Sequence, residues 1–276
     1  MSNPIGTISP MTGPETFQKH GVNKGELEIY KVLSLPELQA YNEQFSRLVL
    51  PTMLGQSQRD RTLTLPYYEG QAFNDAWDIE DGGSMMDLEL AYIMPELIED
   101  LSHIDTSLIT RDERLSRFPN LTFDHKSAQE YFSGIVAGFA DEGILSPSQL
   151  ARAEVLLAHE QKTELIFSNG DFYPRNLILQ ADGKVVLIDW EVWNDHSPFF
   201  VVDHPENVAA VQYVHMWGNP QWQKVYREEL DKRFSFSSES FDKGILMKAL
   251  TLVFFFRRHQ ALFDGQVTIL RQILGI

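Results

Sequence analysis

Asp171, Asn176 and Asp189 carry side-chain oxygens at a spacing that could handle phosphate. The first two stand five residues apart in Asn169-Gly-Asp-Phe-Tyr-Pro-Arg-Asn176, a turn-rich stretch between the apolar runs Leu-Ile-Phe and Leu-Ile-Leu. The third ends the run Lys184-Val-Val-Leu-Ile-Asp189, 18 residues after Asp171. A turn at Ala181-Asp-Gly183 would fold the second run back on the first and set Asp189 beside Asn176, with Asp171 a few ångströms further on. Oxygen-only sets of this kind suit hard divalent cations such as Mg2+, completed by phosphate oxygens and water. Phosphoryl transfer asks for such a metal, one base near an acceptor hydroxyl, and a cation for the donor phosphates. Asn, Gly, Asp and Pro are also ordinary turn formers, so the stretch taken alone would pass for a plain loop.

The pair GDFYPRNLI and VVLIDWE resembles the aminoglycoside phosphotransferase family and its relatives among small-molecule kinases, which read H-G-D-x-x-x-x-N and then I-D-W/F-E or D. More loosely, LIEDLSHIDT resembles that family's helix ending near Leu-His, and LTLPYYEG its interlobe linker, whose backbone meets adenine. The resemblance implies an α+β, two-lobed, protein-kinase-like fold. A small β-rich nucleotide-binding N-lobe with linker would occupy residues 1–70, and a larger, mainly helical C-lobe with the catalytic and metal-binding hairpin residues 71–276. It also implies ATP (or GTP) between the lobes as phosphate donor, with Mg2+, and a small-molecule acceptor hydroxyl (aminoglycoside-, amino alcohol- or sugar-like). Matched residue by residue, Asp171 is the catalytic base, Asn176 a metal ligand and Asp189 the principal metal ligand. Arg175 falls where the family varies and would orient the acceptor or pair with a carboxylate. Pro66 and Tyr67 lie in the linker.

Such a fold needs a strand lysine held by a glutamate on the next helix. Lys31, in LEIYKVL read as a strand, takes the first role. Glu43, 12 residues on, takes the second. Glu37 is its rival, but an acidic residue in a first helical turn often only complements the helix dipole. No G-x-G-x-x-G precedes Lys31, so the candidate phosphate loop is Ser9–Glu15, with Thr12 and Gly13 as contacts. Asn169 stands where the family usually has His. Trp190 and Glu191 read as packing and a local ion pair.

The elements that must position these residues follow from periodicity and turn signals. TFQKHG, the turn VNKG and ELEIYKVL predict a hairpin. ELQAYNEQFSRLVL predicts a helix stopped by Pro51, and RTLTLPYYEGQAF a strand leading into a connector. Helical patterns cover DLELAYIMPELIEDLSHI (interrupted at Pro95) and HKSAQEYFSGIVAGFADEG, which ends at Gly143. Ser146-Pro-Ser-Gln149 is a capping-box start with Pro in the first turn. Further helices are expected around 205–217, 220–233 and 240–263. The acceptor pocket is expected near Asp195, Asp203, Glu206 and the helix around 251–258.

Composition narrows the classes. The 276 residues include no cysteine, so disulfides and thiolate metal sites are excluded and a reducing cytoplasm fits. No secretory signal is visible in MSNPIGTISP. The longest apolar run, ALTLVFFF at 249–256, is far too short for a bilayer. A net charge of −16 argues against nucleic acid or an anionic membrane as partner. It is compatible with a cationic small molecule and equally with plain solubility. The oligomeric expectation is a monomer or homodimer. His196 and His204 near Asp195 and Asp203 show no zinc-type spacing, and no G-x-S-x-G elbow occurs. Two alternatives stay open: a kinase-fold nucleotide-binding protein with little turnover, and a kinase-like enzyme acting on another acceptor, such as protein, or moving a nucleotidyl group. Neither D-F-G nor A-P-E follows Asp189.

Overall fold

The computed structural model describes residues 16–73, 86–192 and 200–275. Thr12 and Gly13 of the expected phosphate loop, and Asp195 and His196, lie outside them. The chain divides into two compact units, one of residues 1–75, 100–122 and 167–202, the other of residues 76–99, 123–166 and 203–276. In chain order the elements are strand β1 (Thr16–His20), helix α1 (Lys24–Leu33), the short helix α2 (Pro36–Gln39) with a 3-10 turn (Ala40–Glu43), and strands β2 (Leu48–Val49), β3 (Gly55–Ser57), β4 (Thr62–Pro66) and β5 (Gln71–Ala72). Helices α3 (Met86–Ser102), α4 (Ser107–Thr110), α5 (His125–Asp141) and α6 (Pro147–Ala158) follow. Strand β6 (Ile166–Phe167), a 3-10 turn (Pro174–Asn176), and strands β7 (Leu177–Leu179), β8 (Val185–Leu187) and β9 (Val202–Asp203) come next. The chain closes with α7 (Pro205–His215), α8 (Pro220–Arg233), α9 (Ser238–Phe256) and α10 (Gln260–Ile273).

The expected N-terminal hairpin is half correct. TFQKHG is β1, but ELEIYKVL is most of helix α1. The Asn23 side chain accepts from the Glu26 amide at 2.8 Å and caps the helix. Asn followed three residues later by Glu is a helix-start signal that competes with the turn reading of the same residues. Leu27, Tyr30 and Leu33 then fall on one buried face. The partner of β1 is instead β4, antiparallel, from Thr16↔Pro66 to His20↔Thr62, with β3 on the other side of β4.

The helix expected over ELQAYNEQFSRLVL stops after its 3-10 turn. Beyond it, the buried carboxylate of Asp100 accepts from the amides of Ser46, Arg47 and Leu48 at 2.9, 2.8 and 2.8 Å. Three donors on one carboxylate hold this segment out of a helix and direct it into β2. β2 then pairs parallel with β8, Leu48 opposite Val185, and β5 pairs antiparallel with β7. The resulting sheet has the order β2-β8-β7-β5. This pairing explains why the β7–β8 hairpin, expected within the helical part, groups with β2 and β5 in the first unit.

The second unit is helical, with α9 packed against α5, α6, α7 and α10. Gly244 permits the close α7–α9 approach, since a Cβ there would stand 2.9 Å from the Glu206 carbonyl oxygen. The expected capping box at Ser146 and Gln149 is present. Helix α3 runs through Pro95 without a break in its assignment. The single helix expected over 240–263 is two, α9 and α10, separated by Arg257–His259.

Candidate active site

The opening motif is built on the hairpin. β7 and β8 pair with Leu177 opposite Leu187. Gly183, at φ 84°, occupies the left-handed position its tight turn requires. At the open end the Ile188 amide donates to the Asn176 carbonyl at 2.8 Å, one residue before Asp189. The buried Asn176 side chain donates to the Asp171 carbonyl at 2.9 Å. Asn169, also buried, donates to the Ile188 carbonyl at 3.1 Å. Asp171, Asn176 and the residue preceding Asp189 are thus joined by one series of hydrogen bonds. Asp189 itself is half-buried with φ 60°. Left-handed backbone is rare for a residue with a side chain and gathers at functional sites.

The expected lysine–glutamate pair is corrected. Lys31 lies on helix α1, not on a strand, and its ammonium meets the Glu28 carboxylate at 3.2 Å one turn back on the same helix. Glu43 lies exposed in the 3-10 turn after α2, and Glu37 is exposed in α2. The strand lysine beside the hairpin is Lys19 of β1. Its ammonium stands 2.5 Å from Glu26 Oε1 and 2.5 Å from Asp189 Oδ1. The contact to Asp189 is a directed hydrogen bond, whereas Glu26 Oε1 meets the ammonium as an ion contact without hydrogen-bond geometry. Because ELEIYKVL is a helix and not a strand, the lysine and the glutamate each stand one element earlier than the hairpin pattern implies. A polar residue on TFQKHG and the Asn23-x-x-Glu26 cap are the signals that would have found Lys19 and Glu26.

Charge is unbalanced here. Burial alone would depress the Lys19 ammonium, but the carboxylates of Glu26 and Asp189 outweigh it and hold the group above the ordinary lysine range. Glu26 is pushed up by burial, which exceeds the help it receives from Lys19. Glu191 is raised to about 7, by burial first and then by Glu26 and Asp189. Carboxylate oxygens of Glu26, Asp189 and Glu191 lie within 4.8 Å of one another. Three carboxylates thus converge with one ammonium, an all-oxygen donor set of the kind a hard divalent ion uses. Glu191 therefore belongs to the acidic cluster rather than to a simple ion pair. Trp190 packs as expected, fully buried, tilted at 34° against Phe167 with centroids 4.7 Å apart and donating to the Leu187 carbonyl.

Arg175 is exposed, with its guanidinium 5.1 Å from the Tyr173 ring centroid. Pro66 ends β4 opposite Thr16, and Tyr67 follows it with 60% of its surface exposed.

Asp203 and Glu206, expected in an acceptor pocket, sit in a buried polar network of the second unit. Asp203 Oδ1 accepts from the His204 amide and from Asn207 Nδ2, both at 2.7 Å. Thr163 donates to Glu206 at 2.6 Å and meets His204 Nδ1 at 3.0 Å. Gln161 donates to Asn207, and the fully buried Lys243 donates to the His159 carbonyl and meets His125 Nδ1. Burial raises Asp203 to about 7, depresses His204 to about 4 and Lys243 to about 8. These groups join α5, the end of α6, α7 and α9, and two of the expected pocket carboxylates are spent on that structural task.

No protein-family model and no curated protein sequence matches the chain. Its likeness to solved structures is extensive. An aminoglycoside phosphotransferase, APH(2")-IIia, solved with GDP and kanamycin, superposes with a TM-score of 0.60 at 10% identity over 98% of this chain and 94% of its own. The choline kinase LicA of Streptococcus pneumoniae gives 0.60 at 12% over 99% and 91%. The macrolide 2'-phosphotransferase MphH of Brachybacterium faecium gives 0.58 at 11% over 92% and 83%. At these identities the likeness concerns architecture alone. The chain has the α+β, protein-kinase-like fold of the aminoglycoside phosphotransferases.

Proposed function

We propose that the chain is a phosphotransferase that moves the γ-phosphate of ATP or GTP to a hydroxyl of a small molecule. The observation that carries this reading is the ionic chain Glu26–Lys19–Asp189, by which α1 and β1 meet the end of the hairpin that also fixes Asp171 and Asn176. Solved structures of the same fold include enzymes for aminoglycosides, a macrolide and choline, which supports a small-molecule acceptor. The net charge of −16 favours a cationic one.

Asp171 acts as the base: it accepts the acceptor hydroxyl's proton while that oxygen bonds to the γ-phosphorus and the bond to the nucleoside diphosphate breaks. Asn176 spends its amide N–H on the Asp171 carbonyl, so its oxygen is the atom turned to other use. Asn176 and Asp189, with Glu191 beside them, fit a magnesium ion, which when bound would neutralise the donor phosphates. Lys19 exchanges Asp189 for a donor phosphate and stays anchored by Glu26. Arg175, exposed at the turn, orients the acceptor. Pro66 and Tyr67 offer backbone to the nucleotide base.

Asn169 in place of the family's histidine favours one second reading, a nucleotide-binding protein with little turnover. A panel of amino sugars, amino alcohols, sugars and nucleosides, each tried with Mg·ATP and Mg·GTP in a nucleoside-diphosphate release assay, separates the two. Acceptor-dependent release supports transfer. Tight nucleotide binding with no release supports the second reading, and no nucleotide binding sinks both.

A further inference from the structure

Helix α1 brings Glu26 to the ionic chain, yet the contact that sets how near it comes is made by the residue before. Gly25, the second residue of α1, is buried against the backbone of Val192. A Cβ at position 25 would stand 1.8 Å from the Val192 carbonyl oxygen and 2.9 Å from its carbon. The obstacle is backbone, which no rotamer change can clear. The oxygen lies against the first turn of α1, where the positive end of the helix dipole favours it. Val192 is itself 1% exposed, and it stands three residues after Asp189 and one after Glu191.

We infer that Gly25 is a positioning residue for phosphate transfer: its missing side chain lets α1 seat on the Val192 carbonyl, and this seat fixes the separation of Glu26 and Asp189 that Lys19 spans. The inference rests on the reading of Glu26, Lys19 and Asp189 as the nucleotide site. Opening 1.8 Å to the 3.0 Å that real Cβ contacts keep moves the helix or the segment 189–192 by at least about 1.2 Å. Lys19 now stands 2.5 Å from both carboxylates and cannot follow two groups moving apart. A displacement of that size at a catalytic constellation costs roughly 10²-fold in rate.

The test compares Gly25→Ala with Gly244→Ala. The latter forces a backbone clash between α9 and α7 in the other unit and touches no group of the proposed site. Both should lower Tm. Gly25→Ala alone should weaken Mg·ATP or Mg·GTP binding in calorimetry, by about tenfold, about 1.4 kcal/mol. In a cycle with Lys19→Met the two losses should be strongly non-additive, since both act through one ionic chain. Wild-type protein that binds neither nucleotide contradicts the functional reading itself. Wild type that binds, together with Gly25→Ala that binds equally well or adds independently to Lys19→Met, overturns the positioning role alone. Hydrogen exchange on the wild type covers a variant that fails to fold. Nucleotide should slow amides 24–28 and 189–192 together, and protection of only one of these segments overturns the inference.

Discussion

The Lys19–Asp189 cluster of the first unit and the Asp203–Lys243 network of the second are both dense in charge, and the sequence points to both. They differ in exposure and in balance. In the first, three carboxylates share one ammonium, Asp189 and Glu191 are only half-buried, and Asp189 holds a left-handed backbone. In the second, Asp203 has two hydrogen bonds to one oxygen, and Lys243 is wholly enclosed by a carbonyl, an imidazole and the Phe123 ring. The second network is buried and mostly hydrogen-bonded, although Gln161 Oε1 and Glu206 Oε1 meet no donor; buried polar networks fix a packing arrangement, whereas accessible groups with excess charge can take a ligand. The contrast marks the first cluster as the candidate ligand site and the second as structural, without recourse to motif.

The largest expected effect sharpens that contrast. Asp189→Ala should cost several kcal/mol of transition-state stabilisation, above roughly 10³-fold in kcat/KM, with little change in Tm. Asp203→Ala should do the reverse. It leaves the His204 amide and the Asn207 side chain without their acceptor, so chemical denaturation should show a loss of about 2–3 kcal/mol. If Asp203→Ala impairs chemistry in a fully stable protein, the division between the clusters is wrong.

Next in size is the lysine. Lys19→Met should lower kcat/KM roughly 10²- to 10³-fold, the scale of one preorganised electrostatic contact. Lys31→Met should remain near wild type, because its partner is Glu28 on its own helix. The opposite outcome would restore the assignment made from sequence.

The smallest effect concerns pH. Burial depresses His204 from its ordinary 6.5 to about 4, so between these values the unfolded chain holds a proton that the folded chain lacks. Stability should therefore be fully present above pH 6.5 and decline as pH falls towards 4. Asp203, raised to about 7, acts in the opposite sense across pH 7 to 4, so the comparison is best made against His204→Gln, in which Asp203 is retained. The wild type should lose on the order of 2 kcal/mol more than His204→Gln between pH 6.5 and 4. Equal losses would mean that His204 is not buried in neutral form.

Much of this was legible in sequence where local signals agreed. The β7–β8 hairpin, the Ser146 cap and the helices α5 to α8 each combine a period with a stop or start residue. Fold class followed from two short motifs in series. The failure near the N-terminus has a physical source: residues 23–33 carry both a turn signal and a helix-cap signal, and only the pairing of β1 with β4, 42 to 50 residues away, decides between them. The missing helical extension after Glu43 is similar, since it is set by Asp100, far along the chain. The buried network of Asp203 and Glu206 is not legible from residue type, because burial is set by packing.

The central claim is that Asp171 is a positioned base and not a turn residue. Asp171→Asn keeps its size and polarity but cannot accept the acceptor proton. Turnover, Mg·nucleotide affinity and Tm measured together on this variant test the claim most directly. The account predicts unchanged Tm, near-normal affinity and a turnover lowered by roughly 10² or more. Unchanged turnover with an active wild type, or a loss explained wholly by lowered stability, would contradict it.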